Sequence, residues 1–207
     1  GSSPGAGPAT MEKHAADLLR LCEVCGVARA VFAGVSIGGY VLFEFWRRHR
    51  ERISGLVLCD TRAGADSDEG RANRLRAADD VERHGTASFI DSMLPKLLGD
   101  TTRTTRPDLV DSARKMMLEM SVAGIAAVQR GMAARPDSVA DLKPVNVPTL
   151  VMVGAEDTLT PLSEAEFMQR QIAHSRLEVI PHAGHYAVFE QPELAGKAIR
   201  GFLDRVV

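Results

Sequence analysis

The chain has 207 residues, 45% hydrophobic and 25% charged, a composition that fits one globular domain and excludes fibrous or low-complexity classes. A formal net charge of −2 supplies no field that would draw nucleic acid or an anionic membrane. The longest apolar runs, such as residues 149–153, are too short to span a bilayer.

Taken in order, residues 1–10 are small and rich in breakers, and read as a loop. Thr10 is placed to cap a helix in which Met11, Ala15, Leu18, Cys22 and Cys25 share one apolar face, stopped by Gly26. Residues 30–33 form a short apolar run predicting a buried strand, followed at once by Gly34-x-Ser36-x-Gly38 and a helix carrying Val41, Leu42, Phe45 and Trp46. Arg47, Arg48, His49, Arg50 and Arg52 then read as the solvated, basic end of that helix. Residues 53–59 are continuously apolar, as in a strand of a parallel sheet buried on both faces. From about residue 64 to 142 the pattern is helical only, with stretches predicted at 70–84, 86–98, 108–120 and 122–134. Strand character returns at 147–153. A helix over 162–173 follows, with Thr160 as cap and Pro161 in its first turn, then a short strand at 177–180 and a closing helix to 203.

Alternating strands and helices predict a mostly parallel sheet with helices on both faces, whose site lies at the carboxyl ends of the strands. Ser36, Asp157 and His185 each stand just past a different strand. The glycine-flanked serine fits a nucleophile elbow, a strained strand-to-helix turn that lifts the hydroxyl above the sheet. Gly34 and Gly38 are expected where a side chain would collide with neighbouring backbone. Ile37 offers a backbone N–H at the helix start, suited to a developing oxyanion. A serine hydroxyl needs a base and the base needs an orienting carboxylate, roles that suit His185 and Asp157. Glu156 and Asp60 are rival acids, and His182 is a rival base. Arg62, Arg71 and Arg74 are candidates for holding a substrate carboxylate. Met116, Met117, Met120 and Met132 are candidates for packing under the helical segment, with Met116 and Met120 as possible substrate contacts. The three cysteines, Cys22, Cys25 and Cys59, read as buried small apolar residues in a reducing compartment rather than a redox or metal set.

These residues carry a resemblance to the α/β-hydrolase superfamily. Gly34-Val35-Ser36-Ile37-Gly38-Gly39 resembles its elbow, Gly154-Ala155-Glu156-Asp157-Thr158-Leu159-Thr160-Pro161 its acid loop, and Pro181-His182-Ala183-Gly184-His185 its histidine loop, with Glu190-Gln191-Pro192-Glu193 as the helix entry after it. Leu58-Cys59-Asp60-Thr61-Arg62-Ala63 and the compact helical segment most resemble hydrolases related to 3-oxoadipate enol-lactonase. The resemblance implies a core in two parts, residues 1–63 and 146–207, around a helical cap at 64–145. It also implies strands ahead of the first helix, one ending in His-Gly and supplying a second oxyanion donor. Gly1-Ser2-Ser3 resembles the end of the loop after them, so the chain is expected to be an amino-terminally truncated hydrolase. The elbow strand would then present an open edge for self-association, and the isolated chain would be unstable or domain-swapped and poorly active.

The implied function is a cytoplasmic, cofactor-free and metal-free serine hydrolase. It would act on a small-molecule ester or lactone through an acyl-enzyme, with no nucleic-acid or membrane partner. The alternatives are a perhydrolase or C–C bond hydrolase with the same triad, or an inactive hydrolase fold that binds a ligand. Dehalogenase and epoxide hydrolase chemistry in the superfamily uses an aspartate at the elbow, where this chain has Ser36.

Overall fold

The structure is a computed structural model and describes residues 5–206. Gly1-Ser2-Ser3 lie outside the described residues.

Four strands, β1 (Ala30–Val35), β2 (Ile53–Cys59), β3 (Thr149–Gly154) and β4 (Ser175–Ile180), form one parallel sheet in the order β1-β2-β3-β4. The alternation of side chains splits each central strand between two cores. Leu56 and Leu58 face one side with Val151 and Val153. They pack against Phe43, Phe45 and Trp46 of α2 (Ile37–His49), Ala15 of α1 (Met11–Val24), and Ala165 and Met168 of α9 (Leu162–Gln171). Val57 and Cys59 face the other side with Leu150 and Met152, covered by Ala195, Ala198 and Phe202 of α11 (Pro192–Leu203). Two buried faces are why these strands read as unbroken apolar runs.

β1 differs. Among the described residues it pairs only with β2, and Val31 and Phe32 are half-buried while Ala33 is exposed. The expectation of a buried elbow strand is corrected accordingly: a strand with one neighbour is covered on one edge only.

Between β2 and β3 the chain forms α3 (Asp68–His84), α4 (Ala87–Leu97), α5 (Asp100–Thr105), α6 (Pro107–Leu118), α7 (Val122–Ala133) and α8 (Val139–Leu142). Ser67 and Ser121 cap α3 and α7 through their hydroxyls. α5 and α8 were not anticipated, being too short for a helical period to show. Ile90, Leu94, Leu97, Leu98, Ala113 and Met117 build a separate apolar cluster here, and Leu159, Tyr186 and Phe189 from the acid and histidine sides of the sheet pack against it.

Local details depart from expectation. Pro161, not Thr160, is the N-cap residue of α9. The predicted closing helix is two pieces, α10 (Ala187–Glu190) and α11, because Pro192 starts a new helix at its first position. Cys25 is exposed at the C-cap of α1, past the last helical turn and just before the turn at Gly26 with φ +67°; Cys22 and Cys59 are buried. Arg47 and Arg48, at the basic end of α2, pair with Glu44, Asp141 and Glu12 within the protein.

Candidate active site

The strand ends fall in register, with Val35 beside Cys59 and Gly154 beside Ile180. This alignment puts the residues that follow each strand on one rim, the usual location of a site in a parallel sheet.

At the end of β1, Ser36 has φ 51° and ψ −113°, an unfavourable conformation for a residue with a side chain. Its N–H donates to the Cys59 carbonyl (2.9 Å), and its own carbonyl accepts from Gly39 N–H (2.9 Å) and from the Thr61 hydroxyl (2.8 Å). The turn needs glycine at position 34, where a Cβ would overlap the Gly38–Gly39 backbone, and at 39, where it would overlap Thr61. Gly38 was expected to be crowded and is not: a Cβ there would meet open space. Ile37 opens α2, so its N–H belongs to the first-turn donors that have no partner inside the helix.

The Ser36 hydroxyl lies 2.7 Å from His185 Nε2, and His185 Nδ1 lies 2.9 Å from Asp157 Oδ2. His185 and Asp157 are 3% and 5% exposed, so both ends of that contact are shielded from water. Asp157 is held firmly. The Leu159 and Thr160 N–H groups donate to its Oδ1 at 2.8 and 3.0 Å, and the Thr160 hydroxyl donates to Oδ2 at 2.6 Å. Burial works to raise its pKa, but hydrogen bonding and charge from His185, with the Thr160 donors, prevail and hold it below the ordinary carboxylate value.

The rivals fall elsewhere. Glu156 accepts from the Thr101 N–H and hydroxyl. His182 is exposed, with φ 56°, and its carbonyl accepts from Gln191. Asp60 is fully buried, and its two oxygens accept from Gly154 N–H (2.8 Å) and Ala187 N–H (3.3 Å). Burial, together with the charges of Asp157 and Glu190, pushes the Asp60 carboxyl up to about 8 against the opposing pull of those two donors.

Of the arginine candidates, Arg71 is exposed, and Arg62 and Arg74 share a counter-charge with Arg135. Arg62, Arg74 and Arg135 converge on the buried Asp66 at 2.5, 2.5 and 2.6 Å. Met116 and Met120 are 47% and 41% exposed; the methionines that pack inward are Met117 and Met132. In the sequence Thr160 reads only as a helix cap, and the one signal that touches Glu190 is the motif Glu190-Gln191-Pro192-Glu193 ahead of the last helix.

The family model for the alpha/beta hydrolase fold matches residues 1–192. A 3-oxoadipate enol-lactonase of Acinetobacter baylyi is 25% identical over 197 residues, covering 95% of this chain and 72% of that protein. Among solved structures, a thermophilic esterase from Thermogutta terrifontis, in a malate-bound form, superposes with a TM-score of 0.94 at 44% identity, over 97% of this chain and 74% of that one. The enol-lactonase of Burkholderia xenovorans LB400 does so with a TM-score of 0.87 at 26% identity, over 96% and 74%.

Proposed function

The chain belongs to the α/β-hydrolase family, and on that premise we propose that it is a serine hydrolase cleaving a small carboxylic ester or lactone with Ser36, His185 and Asp157 as its triad. The observation that carries this reading is the unbroken contact from Ser36 Oγ through the imidazole to Asp157.

In the mechanism the contact supports, Ser36 Oγ attacks the substrate carbonyl carbon while Nε2 of His185 takes the hydroxyl proton. Asp157 keeps the other ring proton on Nδ1, so Nε2 is free to accept, and its negative charge offsets the imidazolium that forms. The Ile37 N–H faces the developing oxyanion. As the tetrahedral centre collapses, His185 returns its proton to the departing oxygen, which leaves as an alcohol or enol, or remains tethered if the substrate was a lactone. Water then gives its proton to His185 and attacks the acyl-Ser36 ester. A second collapse releases the carboxylic acid and restores the serine hydroxyl. The cycle balances with substrate and water alone.

The substrate class is supported by the relatives named for enol-lactone and ester hydrolysis. Arg62, together with Met116 and Met120, remains a proposed substrate contact, one that would need rearrangement of the Asp66 pairing.

A fluorophosphonate probe tests the proposal. The wild type is expected to be labelled at Ser36 and to hydrolyse p-nitrophenyl esters or small lactones. No labelling and no turnover of either class would overturn it.

A further inference from the structure

Glu190 is 3% exposed and far from any role in the mechanism above, yet its carboxyl group is used in full. One oxygen accepts at 2.8 Å from the N–H of Gly184, the residue immediately before His185. The other accepts from the Gly99 N–H, also at 2.8 Å, in the turn between α4 and α5. Backbone contact is so close here that a Cβ on Gly184 would overlap Gly99, and one on Gly154 would overlap Gly184. The N–H groups on the far side of His185 are also fixed. Tyr186 donates to the Leu97 carbonyl (3.0 Å) and Ala187 to Asp60 (3.3 Å).

From this arrangement we infer that Glu190 is a positioning residue: it locks the histidine loop to the α4–α5 turn, so that the imidazole of His185 stays aimed at Ser36. The inference rests on the proposed hydrolase reading. A buried carboxyl group taking two backbone donors from two different segments costs desolvation that a surface tether would not. What it fixes is the Ala183–Gly184 peptide plane, one residue ahead of the Cα that carries the imidazole. An imidazole displaced by a fraction of an ångström still folds and still binds substrate, but accepts the serine proton poorly.

The test is the rate of Ser36 phosphonylation by a fluorophosphonate, resolved into probe affinity and maximal rate constant. Glu190→Gln keeps the length but presents one amide donor to two N–H donors, so one of the two bonds is lost. Its maximal rate constant is expected to fall about tenfold or more while probe affinity holds. Ile90→Val, a conservative change in the helical segment's apolar cluster, controls for lost stability and is expected to leave the rate constant unchanged. A Gln variant with a rate constant within about twofold of wild type would overturn the inference. So would a loss matched by Ile90→Val at equal stability. If the wild type itself is not labelled, the hydrolase reading fails and the two failures are told apart. Should the Gln variant not fold, amide hydrogen exchange on wild type reads the same link. The Gly99 and Gly184 amides are expected to be protected equally and to shift together when Ser36 is phosphonylated; independent exchange would overturn the inference.

Discussion

Ser36 and His185 meet at 2.7 Å but are brought there by opposite means. The elbow is local. Its geometry comes mainly from near neighbours: a strained φ at Ser36 and a glycine at 34 that lets the strand backbone touch Gly38 and Gly39, while Gly39 leaves room for the Thr61 side chain. The acid–histidine side is assembled from afar. Asp60, 94 and 127 residues from its two partners, ties both loops to β2, and Glu190 ties the histidine loop to a turn 91 residues away. The proposed nucleophile stands on a stiff turn, and its two long-range bonds, to the Cys59 carbonyl and from the Thr61 hydroxyl, come from β2 and the residues just after it. A base on a loop has no such turn, so its direction is set by buried acceptors from other segments.

The comparison breaks most severely at the reacting groups. Ser36→Ala is expected to abolish fluorophosphonate labelling and to lower kcat on a chromogenic ester by about 10⁴-fold or more, with an unchanged melting temperature. Retained activity would remove Ser36 from the mechanism. Asp157→Asn should follow at about 10⁴-fold, because the amide no longer holds the proton on His185 Nδ1. Folding should survive, as the Asn oxygen can still take the Leu159 and Thr160 donors. A denaturant titration beside the kinetics checks both halves.

The glycines separate crowding from chain flexibility. Gly154→Ala pushes a methyl into the Gly184 carbonyl and is expected to cost about 3 kcal/mol or more in urea unfolding, whereas Gly38→Ala, facing open space, should change stability by less than about 1 kcal/mol.

Asp60 sharpens the contrast through pH. Its carboxyl holds a proton more tightly folded than unfolded, so its contribution favours the folded state at low pH and is lost as pH rises from about 4 to about 8. Asp157 acts in the opposite sense: its lowered pKa adds stability above the ordinary carboxylate value, lost as pH falls through its folded one. Asp60→Asn should flatten the decline toward pH 8 in thermal melts recorded across that range. A small effect on rate is expected at Thr160→Val, which removes one hydroxyl donor from Asp157 at a cost of about 1 kcal/mol, read as a several-fold loss in kcat.

The contact among Ser36, His185 and Asp157 was legible in part. Each of the three stands past a segment with strand character, continuous at β3 and broken by Glu178 at β4, and in a parallel sheet such positions share a rim. The sequence alone thus determined the elbow, because steric exclusion around Gly34 acts between near neighbours, and it determined the two-sided burial of β2 and β3, because continuity of apolar residues records it. It misplaced crowding at Gly38 and burial at Cys25, where the outcome depends on what lies opposite. It was silent on Glu190 and gave Asp60 only a rival acid's part. A carboxyl group becomes a tether only when donors from other segments reach it, and no spacing along the chain encodes Gly99 beside Gly184. Only the tertiary structure decided which carboxylates orient the histidine loop, since that depends on long-range backbone approach and on the burial that makes each hydrogen bond matter.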